Sequence, residues 1–227
     1  MASLTRPTDR LAAKKHKIYY PTGDGKPMAE TKQHRDLMIY TIPALQVRFA
    51  HRLDVYISGN DFLYYEEGVP ASRISPDCYV VFGVEKQKPR PSYKIWEENG
   101  IGPTVVFEFT SKKTRQEDQG RKRALYEGIL HVQEYFQFDP TGDYLKPRLQ
   151  GRRLQNGQYV EITLHTDRMY SEELGLDLVI VGNDLRFYDP MRGAWLLTMA
   201  EQAQRADTAE AELARLRDEL EALRKQE

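Results

Sequence analysis

Two carboxylates stand where carboxylates are costly. Glu108 lies inside the run Val105, Val106, Phe107, Glu108, Phe109, and Asp77 follows Pro76 at the mouth of the apolar run Cys78 to Val84. Burying such a group is unfavourable unless a cation, hydrogen bonds or a metal ion compensates it. Magnesium is a natural partner, because it prefers carboxylate oxygens and keeps waters for reaction, with manganese as a substitute. One ion would polarise a phosphodiester and activate water, and a second would stabilise the leaving oxygen. The ordinary alternative is a Glu108 that faces solvent or meets an arginine. Against it stands the stretch after Glu108, where Lys112, Lys113, Arg115, Arg121, Lys122 and Arg123 crowd cationic donors beside the acid. Scissile phosphate and attacking hydroxide need such donors. A solvated basic helix face gives the same pattern, so the residues by themselves leave both readings open.

Further groups accompany the pair. Asp118, Lys122 and Tyr126 recur at helical i, i+4, i+8 spacing, so a lysine from this helix can reach back over a sheet, whereas Lys112 needs a sharp turn to do so. Glu30 and His34 form another i, i+4 pair, and an acid at a helix start also simply complements the helix dipole. Gln137, in the run EYFQFDP, faces the site or turns away according to strand alternation. The other histidines show no ligand spacing, Cys78 reads as packing, and no phosphate-loop, zinc-peptidase or serine-hydrolase motif occurs.

The elements that must position these groups follow from pattern. Residues 1–28 read as an irregular N-terminal arm. Helical spacing of Leu37, Thr41, Ala44, Leu45 and Phe49 predicts a helix that Pro43 should kink or split. The run DVYISGNDFLYYEE predicts a hairpin about residues 58–61, and residues 85–102 an exposed excursion with one helical turn. CYVVFGV and PTVVFEF are core strands. A helix follows from Thr114, with Thr114 and Glu117 spaced as a capping box, and EYFQFDP is a third strand, so strand, helix, strand gives an α/β unit of mixed α+β character. Asn156-Gly157 marks a hairpin, and Gly182 to Asp184 another. From Ala206 the apolar residues Ala206, Ala209, Leu213, Leu216, Leu220 and Leu223 recur at 3-4 spacing without Gly or Pro, which predicts a coiled-coil helix over 199–227 and a homo-oligomer through it.

Composition bounds the rest. The 227 residues are 40% hydrophobic and 30% charged, with 14 Tyr and 8 Phe, as in an ordinary globular chain. Net charge is −1, so overall charge does not argue for a polyanionic partner. One cysteine excludes an intramolecular disulfide framework and a cysteine-rich zinc site, and fits a cytoplasmic setting. The basic N-terminus lacks the apolar region of a secretory signal, and there is no long uninterrupted apolar stretch, so no membrane partner is expected.

The ordered runs YPTGDGKPMAETKQHR, YYEEG, SPDCYVVFGV and VVFEFTSKKTRQEDQGRKRALYEGILHVQEYFQFDP resemble the Uma-type family of proposed restriction endonucleases, a branch of the PD-(D/E)XK nuclease superfamily. The resemblance spans about residues 18–198. It implies a restriction-endonuclease-like core over 29–198, with a mixed central sheet flanked by helices and a metal site at one end of its strands. Asp77 is then the motif aspartate and Glu108 the second ligand of Mg²⁺. The usual lysine two residues after the glutamate is absent, since Thr110 stands there. In the family pattern the lysine is displaced onto the next helix, matching Asp118 and Lys122, with Lys112 as the rival. Glu30 and His34 would lie near the centre. The expected activity is magnesium-dependent endonucleolytic hydrolysis of DNA; the alternative is a nuclease-fold module that no longer cuts and serves in binding or assembly.

Overall fold

The computed structural model describes residues 18–23, 31–110 and 118–225. The runs expected as core strands form the middle of a mixed sheet. Its strands are β1 (Val55–Ser58), β4 (Cys78–Phe82), β6 (Val105–Phe109), β7 (Glu134–Phe138), β8 (Leu149–Gln155) and β9 (Gln158–Ile162), in the order β1-β4-β6-β7-β8-β9 among the described residues. Only β6 and β7 run parallel, in register Glu108 to Gln137. Such a pairing requires a crossover. The described part of that crossover is a π-helical turn, Asp118–Lys122, running into the short helix α2, Arg123–Gly128.

Alternation sorts the side chains of the central strands to two faces. On one, Val80, Phe107 and Phe136 pack against α1 (Lys32–Arg48) and against the sheet of β10 (Arg168–Ser171), β11 (Leu176–Val181), β12 (Asp184–Asp189) and β13 (Ala194–Trp195). On the other, Tyr79, Val106 and Tyr135 pack against Leu125 and Tyr126 of α2 and against a small sheet of β2 (Leu63–Tyr64), β3 (Arg73–Ile74) and β5 (Tyr93–Lys94). Buried pairs tie the layers together. Arg48 of α1 meets Asp189 of β12 at 2.9 Å, and Glu134 of β7, fully buried, accepts from Arg153 at 2.7 Å and from Ser171 of β10.

The expected mixed α/β architecture is present, with three local departures. Helix α1 is neither split nor ended by Pro43: the carbonyl that loses its donor belongs to Ile39, whose side chain is exposed, so it can turn to water. The hairpin expected about residues 58–61 does not form. β1 pairs with β4 while β2 pairs with β3 and β5, because the connecting turn is bonded away from both strands, Asn60 N–H donating to the Pro76 carbonyl at 2.7 Å. The excursion 85–102 is not simply exposed. Tyr93 and Glu98 are buried, and Arg90 closes on the Glu98 carboxylate at 2.8 and 2.9 Å. Both expected glycine hairpins are present: Asn156 and Gly157 take left-handed φ between Gln155 and Gln158, and Val181 faces Asp184 across the other. The capping-box residues Thr114 and Glu117 lie outside the described residues. Helix α3, Met199–Arg224, carries its own capping box, in which Thr198 and Glu201 bond reciprocally.

Candidate active site

The antiparallel register that sets Cys78 opposite Phe107 brings Asp77, one residue earlier, to the level of Glu108. Glu108 lies on the α2 face, since it alternates with Phe107 and Phe109, which belong to the opposite core, and Asp77 stands at the strand mouth beside it. Asp77 has a neighbour at each oxygen. Its Oδ2 accepts the Phe109 backbone N–H at 2.6 Å, and its Oδ1 lies 3.1 Å from Nε2 of His34, in the first turn of α1. Thr31 caps that helix by accepting from the His34 N–H at 3.2 Å, and the His34 ring meets Phe109 edge-on. Its backbone is held as well: a Cβ on Gly59 would stand 2.1 Å from the Asp77 carbonyl oxygen, so only glycine permits the β1–β2 turn to pass there.

Glu108 is 1% exposed, and among the described residues each of its oxygens meets a donor. Lys122 Nζ approaches Oε2 at 2.7 Å, and Tyr126 donates its hydroxyl to Oε1 at 2.6 Å. Both donors come from the helical crossover, one turn apart, as their i, i+4 spacing requires. Burial, reinforced by the charges of Glu108 and Asp77, holds the Tyr126 phenol well above its ordinary range, so it remains a neutral donor. Burial likewise pushes the adjacent Cys78 thiol up, which leaves it inert and consistent with packing.

Gln137, in register with Glu108 on β7, is buried; its carbonyl oxygen accepts from Arg152 at 2.8 Å, and its amide nitrogen has no partner among the described residues. The Thr110 hydroxyl, two residues beyond Glu108, is also buried and lacks a partner among those residues. Beside this cluster opens a pocket of about 320 Å³, with Phe62, Arg73, Ser75, Arg121 and Lys122 in its wall. Three of those five side chains are cationic and none is acidic. The structure thus brings His34, Asp77, Glu108, Lys122 and Gln137 together. Glu30 and Lys112 lie outside the described residues, as does the side chain of Asp118. Arg73 and Gly59 were not expected from sequence: each sits in a loop or two-residue strand with no periodic pattern around it. The position of Tyr126 four residues after Lys122 was the available signal for its hydroxyl.

The magnesium ion expected from the sequence can be set against these groups. Among the described residues no three His, Cys, Asp or Glu side chains gather as a ligand set. The two carboxylates nevertheless suit an ion that takes one or two carboxylates and completes its shell with water and phosphate oxygens. A carboxylate oxygen that accepts a hydrogen bond is still able to ligate a cation. The Gln137 amide and Thr110 hydroxyl, without partners among the described residues, fit a hydrated ligand between the strands. The donor set therefore fits.

The family described as "Putative restriction endonuclease", Uma2, matches residues 8–181. The chain belongs to the Uma2 family. Asp77, Glu108, Lys122 and Tyr126 all fall inside the matched segment, and α3 falls outside it. No curated protein matches the chain. Among solved structures it is similar to a putative nuclease belonging to DUF820 from Anabaena variabilis ATCC 29413, at 11% identity and a TM-score of 0.49, over 66% of this chain and 76% of that one. Membership of Uma2 makes this a chain of nuclease type, and no described helix is long and apolar enough to cross a membrane.

Proposed function

We propose that this Uma2 protein is an endonuclease that hydrolyses phosphodiester bonds of DNA with Mg²⁺ held by Asp77 and Glu108. The observation that carries the reading is the Lys122 ammonium on the buried Glu108 carboxylate, at the wall of a pocket whose charged groups, among the described residues, are all cationic. When bound, magnesium supplies Lewis acidity and a more acidic water. The chain supplies the rest. Asp77, pinned by the Phe109 N–H and neighbouring His34, presents a fixed acceptor. Lys122 donates to the non-bridging oxygens as negative charge grows on the phosphorus-bound groups, and it replaces in function the lysine that Thr110 displaces. Arg73 and Arg121 receive the flanking phosphates, and Tyr126 holds Glu108 in place without itself ionising.

The test is cleavage of duplex DNA with Mg²⁺ or Mn²⁺. Asp77→Asn and Glu108→Gln should each lower the rate by about 10²-fold or more, the scale of losing a group that stabilises transition-state charge. Cutting that persists in EDTA, or variants as active as the parent, would sink the proposal. A second reading is a module that binds nucleic acid without cutting it, and one observation favours it: the Glu108 charge is already balanced by Lys122, with Tyr126 donating a hydrogen bond. Under that reading calorimetry with Mg²⁺ shows no heat of binding while DNA still binds.

A further inference from the structure

Helix α3 spans Met199–Arg224 and buries none of its residues against its own chain. Its length is about 39 Å at 1.5 Å per residue, and an isolated helix of this kind gains little from its own backbone bonds. Leu213, Leu216, Leu220 and Leu223 are each about half exposed, on one stripe. With Ala206, Leu213 and Leu220 at heptad position a, and Ala209, Leu216 and Leu223 at d, the flanking positions acquire a charge pattern that the apolar spacing does not require. Position g holds Arg205, Glu212 and Glu219, and position e holds Glu210, Arg217 and Arg224.

In a parallel two-stranded coil, each g residue faces the e residue five positions later on the partner. Those pairs here are Arg205 with Glu210, Glu212 with Arg217, and Glu219 with Arg224. Every one joins opposite charges. An antiparallel pair overlapping the same seam sets g against g and e against e, so like charges meet at its centre. Among the described residues, Glu212 and Glu219 are bridged only by Arg215, at 3.6 and 3.4 Å, and no ion pair reaches Arg217 or Arg224. The seam also continues onto the body. Gln202, Ala206 and Ala209 line a groove of about 580 Å³ opposite Val47 of α1 and Trp195 of β13, both substantially exposed. Alanine at these first layers leaves room for a second helix to lie close.

We propose that the occupant of this face is α3 of a second copy, in a parallel, in-register two-stranded coil whose root seats in the groove between α3 and the body. Two copies then project from the same end of the coil. The inference goes beyond the nuclease reading, and association is read without reference to cleavage, so either can fail alone.

The experiment is sedimentation of the full chain and of two charge variants. Wild type should dimerise. Glu212→Arg with Glu219→Arg, and separately Arg217→Glu with Arg224→Glu, should each weaken self-association by about tenfold or more, since like charges then face at every altered pair. Mixing the two variants should restore a heterodimer of wild-type strength, which excludes misfolding as the cause of the loss. Leu223→Cys, near the far end of the coil, should cross-link to itself on oxidation, as only a parallel pair allows. Monomeric wild type at all concentrations, charge variants that associate like wild type, or a dimer that fails to cross-link through Leu223→Cys would each overturn the proposal.

Discussion

Glu108 illustrates how a residue that sequence marks as anomalous is reconciled with its surroundings. The anomaly, an acid between valine and phenylalanines, was visible in the chain; the compensation was not, because Lys122 and Tyr126 arrive from a crossover whose approach only packing decides. Removing one member of a buried pair strands the other, at a cost of about 3 kcal/mol. Lys122→Met should therefore destabilise the protein in urea melts by about that amount. Adding Glu108→Gln to it should recover most of the loss while cleavage stays absent, which separates holding the fold from performing chemistry. At Gly59 the argument is steric. A methyl group 2.1 Å from the Asp77 carbonyl oxygen cannot be accommodated without moving backbone, so Gly59→Ala should cost about 3 kcal/mol by denaturation and displace Asp77. Glycine in a turn reads from sequence as flexibility, and its role as a spacer for a residue 18 positions later has no local signature.

Elements were legible where pattern and contact agree. The strands β4, β6 and β7, the parallel β6–β7 pair and the Asn156-Gly157 hairpin follow from apolar runs and turn chemistry that tertiary contacts reinforce. The pairing of β1 and β2 was not, since a two-residue strand has too few side chains to show which neighbour it prefers. Residues 85–102 failed for a different reason: their charges read as solvated, but Arg90 and Lys88 converge on one buried carboxylate. Hydrogen bonds from Arg90, against the opposing effect of burial, hold the Glu98 carboxyl below its ordinary value, with Lys88 adding to them. A depressed acid contributes stability above the unfolded carboxyl value, about 4.3, and loses it as pH falls through the lower folded value. Thermal melts should therefore weaken steeply below that range, and Glu98→Gln should lower the melting temperature at neutral pH while flattening the acid limb. An unchanged acid limb in the variant would refute the assignment.

On the scale of the whole molecule, buried charges tie α1 to β12, β7 to β10 and the crossover to β6, and α3 leaves this body through an anchored root. Arg186 of β12 bonds Glu201 at 2.8 Å and the Leu196 carbonyl at 3.2 Å, and Tyr40 of α1 donates to the same carbonyl. The capping box of Thr198 and Glu201 stands at the start of α3. The pairing of Glu108 with Lys122 has a consequence for how the molecule comes into being. A centre whose acid is neutralised by the chain itself does not need an ion to be tolerated inside the protein, unlike sites whose ligands repel one another until metal arrives. On the proposed magnesium reading, folding then precedes loading. Calorimetry should find the same melting temperature in buffer and in EDTA, and a rise only as millimolar magnesium is added, by mass action on the folded state; a protein that unfolds on chelation would contradict this. Such a chain could be synthesised where the ion is scarce, persist intact, and be charged or discharged repeatedly without passing through the unfolded state.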